Sequence, residues 1–319
     1  MNPPLIIRSA SAYSKSILCV TVMDRKTWRS SPFEPENDVV YYNRDQPNPW
    51  GEATRIETNI ISMTRYRYPD RDRQIQVALA AEGHVGFFGR EEGFYEKIPG
   101  AGLWADDAEG RGYMSAIRQI GARLYACGGG RQLYRREGSE HWERFDLGMP
   151  GGQPNADDII FADVNGPHEE SIYVVGQNGT AYWKGPEGFL DLALPTSLWL
   201  QQIHVENEKT IWICGRAGLL LRGNHIDGFR QVAAGDSREA FLSMAKYEGR
   251  LYLAAETGLH MLEGDRIVRA RTTLTPDLRD AHWIDVTDGV LWSIGYEDIA
   301  RFDGEQWERL DLPGNPPIR

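Results

Sequence analysis

A short apolar segment that ends near glycine recurs along the chain. It reads Leu124-Tyr125-Ala126-Cys127-Gly128, Ile172-Tyr173-Val174-Val175-Gly176, Ile211-Trp212-Ile213-Cys214-Gly215, Leu251-Tyr252-Leu253-Ala254-Ala255 and Leu291-Trp292-Ser293-Ile294-Gly295. After three of these copies a further glycine follows, Gly179, Gly218 or Gly258, and then a second apolar run such as Leu219-Leu220-Leu221. Two β-rich runs joined by a glycine-bearing turn form a hairpin. A second motif recurs almost unchanged: Trp142-Glu143-Arg144-Phe145-Asp146-Leu147 and Trp307-Glu308-Arg309-Leu310-Asp311-Leu312. Each copy follows a turn, Glu137-Gly138-Ser139 or Asp303-Gly304-Glu305.

Two weaker copies lie upstream, at Ile75-Gln76-Val77-Ala78-Leu79 and Ile17-Leu18-Cys19-Val20. The copies begin at 17, 75, 124, 172, 211, 251 and 291, leaving room for four short strands in each interval. A period of about 40–50 residues with four strands per unit is that of a β-propeller blade. The expectation is an all-β chain, a seven-bladed β-propeller with four antiparallel strands per blade, A to D from inside outward. A single propeller domain would span 1–319, with six blades plus an N-terminal extension as the alternative. Leu5 to Arg8 and Ala53 to Ile56 supply strands A and D of the first blade, and the last blade is complete in itself.

These hairpins resemble the BNR-like and tryptophan-glycine-rich propeller families. The resemblance rests on Ile211-Trp212-Ile213-Cys214-Gly215-Arg216-Ala217-Gly218 and on Gly304-Glu305-Gln306-Trp307. It implies the fold and is nearly silent on function. It also implies that B–C turns and D–A connections share one side. The stricter Asp-box of sialidases and the WD-repeat pattern are absent.

Residues repeated in every blade are read as packing. The column Tyr125, Tyr173, Trp212, Tyr252 and Trp292 is expected between blades, and Cys127 and Cys214 as small buried hydrophobes. Function is sought where the repeat breaks. The longest B–C insertion, 23–37, carries Trp28, Phe33, Glu34 and Glu36. Three long D–A connections carry Trp104, Asp106, Asp107 and Glu109; Asp157 and Asp158; and Asp277 and Asp280. The B–C turn of the last blade adds Glu297 and Asp298. Aromatic anchors among charges are the composition of a protein-binding surface, although Asp and Gly are also good turn residues. On the inner strands, alignment on Ile117, Phe161, Ile203, Met244 and Ile284 gives Arg118, Ala162, His204, Ala245 and Asp285 as the next residues. Arg118, His204 and Asp285 are therefore candidates to line a channel, where they would meet water or a small ligand.

The formal net charge of -11, from 35 Lys+Arg and 46 Asp+Glu, argues against nucleic acid as partner and favours a basic protein. No run of 18 apolar residues is present, so no membrane-spanning helix is expected. Cys19, Cys127 and Cys214 are too few and too scattered for a disulfide framework, which points to the cytoplasm. The seven histidines show no metal-ligand spacing, and no Cys-x-x-Cys, Walker loop or Gly-x-Ser-x-Gly elbow occurs. Neither a catalytic residue, a metal site nor a cofactor is assigned. The reading that follows is a protein-binding propeller, monomeric on its own, whose acidic, aromatic-bearing loops hold a basic protein. One form of it is an immunity or inhibitor protein that neutralises a cationic toxin. A carbohydrate-active or lyase-type propeller enzyme and an assembly factor are the alternatives.

Overall fold

The structure, a computed structural model, describes residues 5–30, 36–89, 93–150, 159–232 and 238–319. Their strands form seven four-stranded antiparallel sheets, each built from four consecutive strands. The chain is a seven-bladed β-propeller. The N-terminal segment is a full blade, with strand A at Leu5–Ala12, B at Ile17–Asp24, C at Asn37–Asn43 and D at Thr54–Ile56. The six-blade alternative is thereby removed. The last blade takes all its strands from the C-terminal sequence, from Trp283–Thr287 to Trp307–Leu310. No helix among the described residues is long and apolar enough to cross a membrane.

Burial follows the order of strands within a blade. Strand B of blade 4 (Ser171–Gly176) and of blade 5 (Thr210–Gly215) is buried at every residue. Their outer strands, Gly188–Asp191 and Gly228–Gln231, have no buried residue. A strand covered on both faces reads as a continuous apolar run, which is why strand B carries the strongest repeat signal.

The blades group into two compact units. One holds blades 1, 6 and 7 with the turn residues Ala217–Leu219, and the other holds blades 2 to 5. In the first unit Trp292 is fully buried in a cluster with Ile7, Leu18, Val20 and Tyr42, so blade 7 packs on blade 1. Tyr252 of blade 6 packs with Ile284, Leu291 and Ala300 of blade 7. Polar clips reinforce these contacts. Ser243 Oγ accepts the Ile284 N–H at 3.2 Å, and the Asp285 carboxylate accepts the Ala12 N–H at 2.9 Å. Asn315 closes the unit, donating from its side-chain amide to the Leu5 carbonyl at 3.0 Å.

In the second unit Tyr125 of blade 3 is buried with Phe161, Val164 and Ile172 of blade 4. Tyr125, Tyr252 and Trp292 of the aromatic column thus pack blade on blade, as expected. Glu96 is buried on the outer strand of blade 2 and accepts bonds from Arg136 (2.6 and 2.9 Å), Trp142 Nε1 (2.8 Å) and the Glu140 N–H (3.0 Å). Four donors on one buried carboxylate offset the cost of removing its charge from water. They hold it ionised, its pKa below the usual range although burial alone would raise it.

The inner-strand alignment needs one correction. Met63, Ile117, Val164 and Ile203 stand opposite Ala78, Ala126, Val174 and Ile213. Phe161 lies three residues earlier, opposite Gly176, with a register shift between it and Asp163. The equivalent of Arg118 and His204 in blade 4 is therefore Asn165, not Ala162.

Candidate functional site

Within blades 2 to 5 the hydrogen bonds place the D–A connections against the B–C turns. The Gly129 N–H in the B–C turn of blade 3 donates to the Tyr113 carbonyl at 2.8 Å. The turn of blade 4 does the same, from Gly179 to the Leu198 carbonyl at 2.9 Å, and that of blade 5 from Arg216 to Trp199 at 3.0 Å. The sharing of one side, expected from the resemblance, holds within this unit.

The connection from blade 2 to blade 3 carries Trp104, Asp106, Asp107 and Glu109. One oxygen of Glu82, in the B–C turn of blade 2, accepts the N–H groups of Leu103, Trp104 and Ala105 at 2.9, 3.0 and 3.1 Å. Gly102 permits this approach: it has φ +102°, and a Cβ there would lie 2.4 Å from that same oxygen. The Trp104 indole N–H donates to the Tyr113 hydroxyl at 3.0 Å, yet the side chain is 76% exposed. Asp106, Asp107 and Glu109 are exposed beside it. Asp107 pairs with Lys97 at 3.1 Å and accepts the Gly100 N–H at 3.0 Å. Its partial burial works to raise its pKa, but these two donors outweigh that and hold it low. Glu109 pairs with Arg144 at 3.2 Å. Behind the loop, buried Arg111 is anchored to Asp146 at 2.5 Å and to the Gly130 carbonyl at 2.9 Å.

The candidates in blades 1, 6 and 7 are differently employed. The insertion of blade 1 contains a short helix, α1 (Arg25–Ser30), which the sequence reading did not anticipate. Asp24 caps it, accepting the N–H groups of Lys26 at 2.8 Å and Thr27 at 3.2 Å. Trp28 is half-buried against Tyr296, with ring centroids 6.0 Å apart, and Arg25 pairs with Glu297. Glu36 pairs with Arg55 at 2.9 Å. Asp298 is 1% exposed and holds Arg309 through two bonds of 2.8 and 3.0 Å. Asp280 accepts the Tyr296 N–H; burial, with the charge of Asp298, pushes its pKa up to about 6. Asp277 accepts the N–H groups of Leu278 at 3.0 Å and Thr272 at 3.2 Å. These carboxylates are engaged by partners within their own unit. Phe33, Glu34, Asp157 and Asp158 lie outside the described residues.

Of the inner-strand candidates, Arg118 forms an ion pair with Asp163 at 3.0 Å, and Asp163 also accepts the Ile203 N–H at 2.9 Å. Asp163 is wholly buried, which raises its pKa against the opposing pull of Arg118. Asp285 clips Ala12, as described. His204 is half-buried. Among the described residues no group of three His, Cys, Asp or Glu side chains is placed to hold a metal ion.

The sequence reading missed Glu82 and Tyr113, which position Trp104, and two exposed leucines on neighbouring connections, Leu147 and Leu198. Nothing local marks Leu147, because it belongs to the repeated Trp-Glu-Arg motif.

No protein-family model matches the chain. It is 34% identical over 236 residues to the immune protein Tsi7 of Pseudomonas aeruginosa, covering 73% of this chain and 74% of that protein. Among solved structures, PorZ, a surface component of the type-IX secretion system of Porphyromonas gingivalis, superposes with a TM-score of 0.62 at 13% identity, over 98% of this chain and 39% of that one. The extracellular domain of BT4673 from B. thetaiotaomicron gives a TM-score of 0.63 at 14% identity, over 94% of this chain and 39% of that one. The WD40 propeller domain of Doa1 gives 0.60 at 9% identity, over 94% and 93% of the two chains. At these identities the structural likenesses carry the fold alone.

Proposed function

The chain belongs to the family of the immune protein Tsi7, and on that premise we propose that it is an immunity protein that neutralises a cognate toxin by binding it. The observation that carries this reading is the identity of 34% across most of both chains. The propeller supports it: a β-sheet scaffold presents loops whose side chains are free to specify a partner. The charge of -11 supports a partner with a basic surface, since opposite charge speeds encounter and occludes a site built for anions.

In this reading the protein acts as a monomer and by occupation of a surface. The three cysteines are buried and unpaired, which fits a reducing compartment such as the cytoplasm.

The test is co-expression with the product of the adjoining reading frame. The reading expects growth arrest by that product alone, rescue by this chain, and co-purification of the two in equal amounts. Arrest that this chain leaves unrelieved, with no complex formed, contradicts it.

A further inference from the structure

Six large hydrophobic side chains stand exposed among the described residues: Tyr95, Trp104, Leu147, Leu190, Leu198 and Ile226. All six belong to the unit of blades 2 to 5. Tyr95 and Leu190 lie on outer strands and Ile226 in a C–D turn. The other three lie one on each successive D–A connection, on the side where these connections bond the B–C turns.

Leu147 gives the sharpest contrast. It is the repeat twin of Leu312, at the end of the near-identical motif. Leu312 is 4% exposed and packs in the cluster around Trp292, whereas Leu147 is 66% exposed. One motif position is core in blade 7 and surface in blade 3, so the repeat itself does not account for Leu147.

The backbone is held by hydrogen bonds at Trp104 and Leu198, and Leu147 directly follows an anchored residue. Trp104 hangs on Glu82 and Tyr113. Leu147 follows Asp146, which is anchored by Arg111 and Arg144. At Leu198 the N–H donates to Thr196 Oγ1 at 3.1 Å and the carbonyl accepts from Gly179. Exposed apolar groups on an ordered backbone lose little freedom on binding, which is what an energetic anchor requires. Cations on the same side are engaged internally. Lys97 pairs with Asp107 and Arg144 with Glu109, so these two acids are partly balanced in place; Arg131 donates to the Tyr182 hydroxyl at 2.7 Å, and Arg216 lies over the Trp199 ring at 4.3 Å. Asp106, Asp107 and Glu109 remain exposed at the margin of Trp104.

We propose that the toxin docks on the described parts of the D–A connections of blades 2 to 4, residues 99–113, 145–150 and 192–199. Trp104, Leu147 and Leu198 are its apolar anchors, and Asp106, Asp107 and Glu109 its acidic margin. The matching surface of the partner is apolar and bordered by Lys or Arg. This rests on the immunity reading and deepens it, because it assigns docking to one unit and separates the residues that hold the partner from those that attract it.

The experiment measures association and dissociation rates for the purified product of the adjoining reading frame. Trp104→Ala, Leu147→Asp and Leu198→Asp, with Leu147→Ser as a milder variant, are expected to speed dissociation about 10- to 100-fold each and to change association little. Asp106→Lys is expected to slow association about threefold at low salt, an effect that salt abolishes. Tyr95→Ala and Ile226→Ala are the surface controls and leave both rates unchanged. Unchanged rates in the three anchor variants, with loss on replacing Trp28 or Glu36, overturn the placement and leave the immunity reading intact. A fall in the mass of the isolated protein on replacing the anchors also overturns it, by assigning them to self-association. If the wild-type chain forms no complex, the immunity reading fails and the placement with it.

Discussion

A single oxygen of Glu82 accepts the backbone N–H of Trp104 at 3.0 Å, together with the N–H groups on either side of it. A tryptophan that water surrounds is thereby held by a carboxylate from a different turn. Charge-assisted bonds of this kind contribute about 1.5–3 kcal/mol each when well formed, less where water competes. Glu82→Ala should free the loop and leave the blades intact. The expected outcome is a thermal midpoint within a few degrees of wild type and partner affinity reduced about tenfold, read by calorimetric titration. Glu82→Gln, which keeps one acceptor, should fall between the two.

The ion pair of Arg118 with Asp163 links the inner strands of blades 3 and 4, and Asp163 reaches on to blade 5 through Ile203. Removing one member of a buried pair leaves an uncompensated charge, at a cost of about 3–5 kcal/mol. Arg118→Met should therefore lower stability at pH 7 by that order. It also removes the charge that holds the Asp163 pKa down, so that pKa rises further. Between its raised folded value and the ordinary carboxylate value of the unfolded chain, the folded state takes up the proton more readily. The variant should thus regain stability as pH falls, measured as urea midpoints from pH 8 to pH 4.

Asp280 and His282 oppose each other in the same pH range. Burial, with the charge of Asp298, raises Asp280 from 3.8 to about 6 against the pull of Arg25, so its ionised form costs stability above that range and the cost is relieved as pH falls. Burial, with the charge of Arg8, lowers His282 from 6.5 to about 4, so its contribution is lost as pH falls through the same window. In the wild type the two slopes partly cancel. Asp280→Asn should leave the histidine slope alone. The variant should match or exceed wild type at pH 7 and lose stability more steeply between pH 6 and pH 4. Chemical denaturation across that range checks it, and parallel curves for the two proteins would refute it.

The fold was legible because each blade needs the same doubly covered hairpin, so Ile172 to Gly176 and Ile211 to Gly215 had to look alike. The inner-strand alignment slipped in blade 4, where the register shift between Phe161 and Asp163 displaces the apolar position. The candidate surface was half legible. Trp104 announced itself as an aromatic without a turn role. Carboxylates could be counted but not their partners: Glu297 meets Arg25 and Asp298 meets Arg309 across different elements, and only folding reveals that these charges are already engaged within the unit. Leu147 was hidden for the opposite reason. Its motif reads as packing, and whether a neighbouring blade covers it depends on contacts the motif does not encode.

Hydrogen exchange of the complex against the free protein tests the central claim most directly, because it maps the docking side without altering a residue. The account predicts slowed amide exchange in 99–113 and 192–199, and no change in α1 or in 270–282. Protection confined to α1 and 270–282, with 99–113 exchanging as in the free protein, would contradict it.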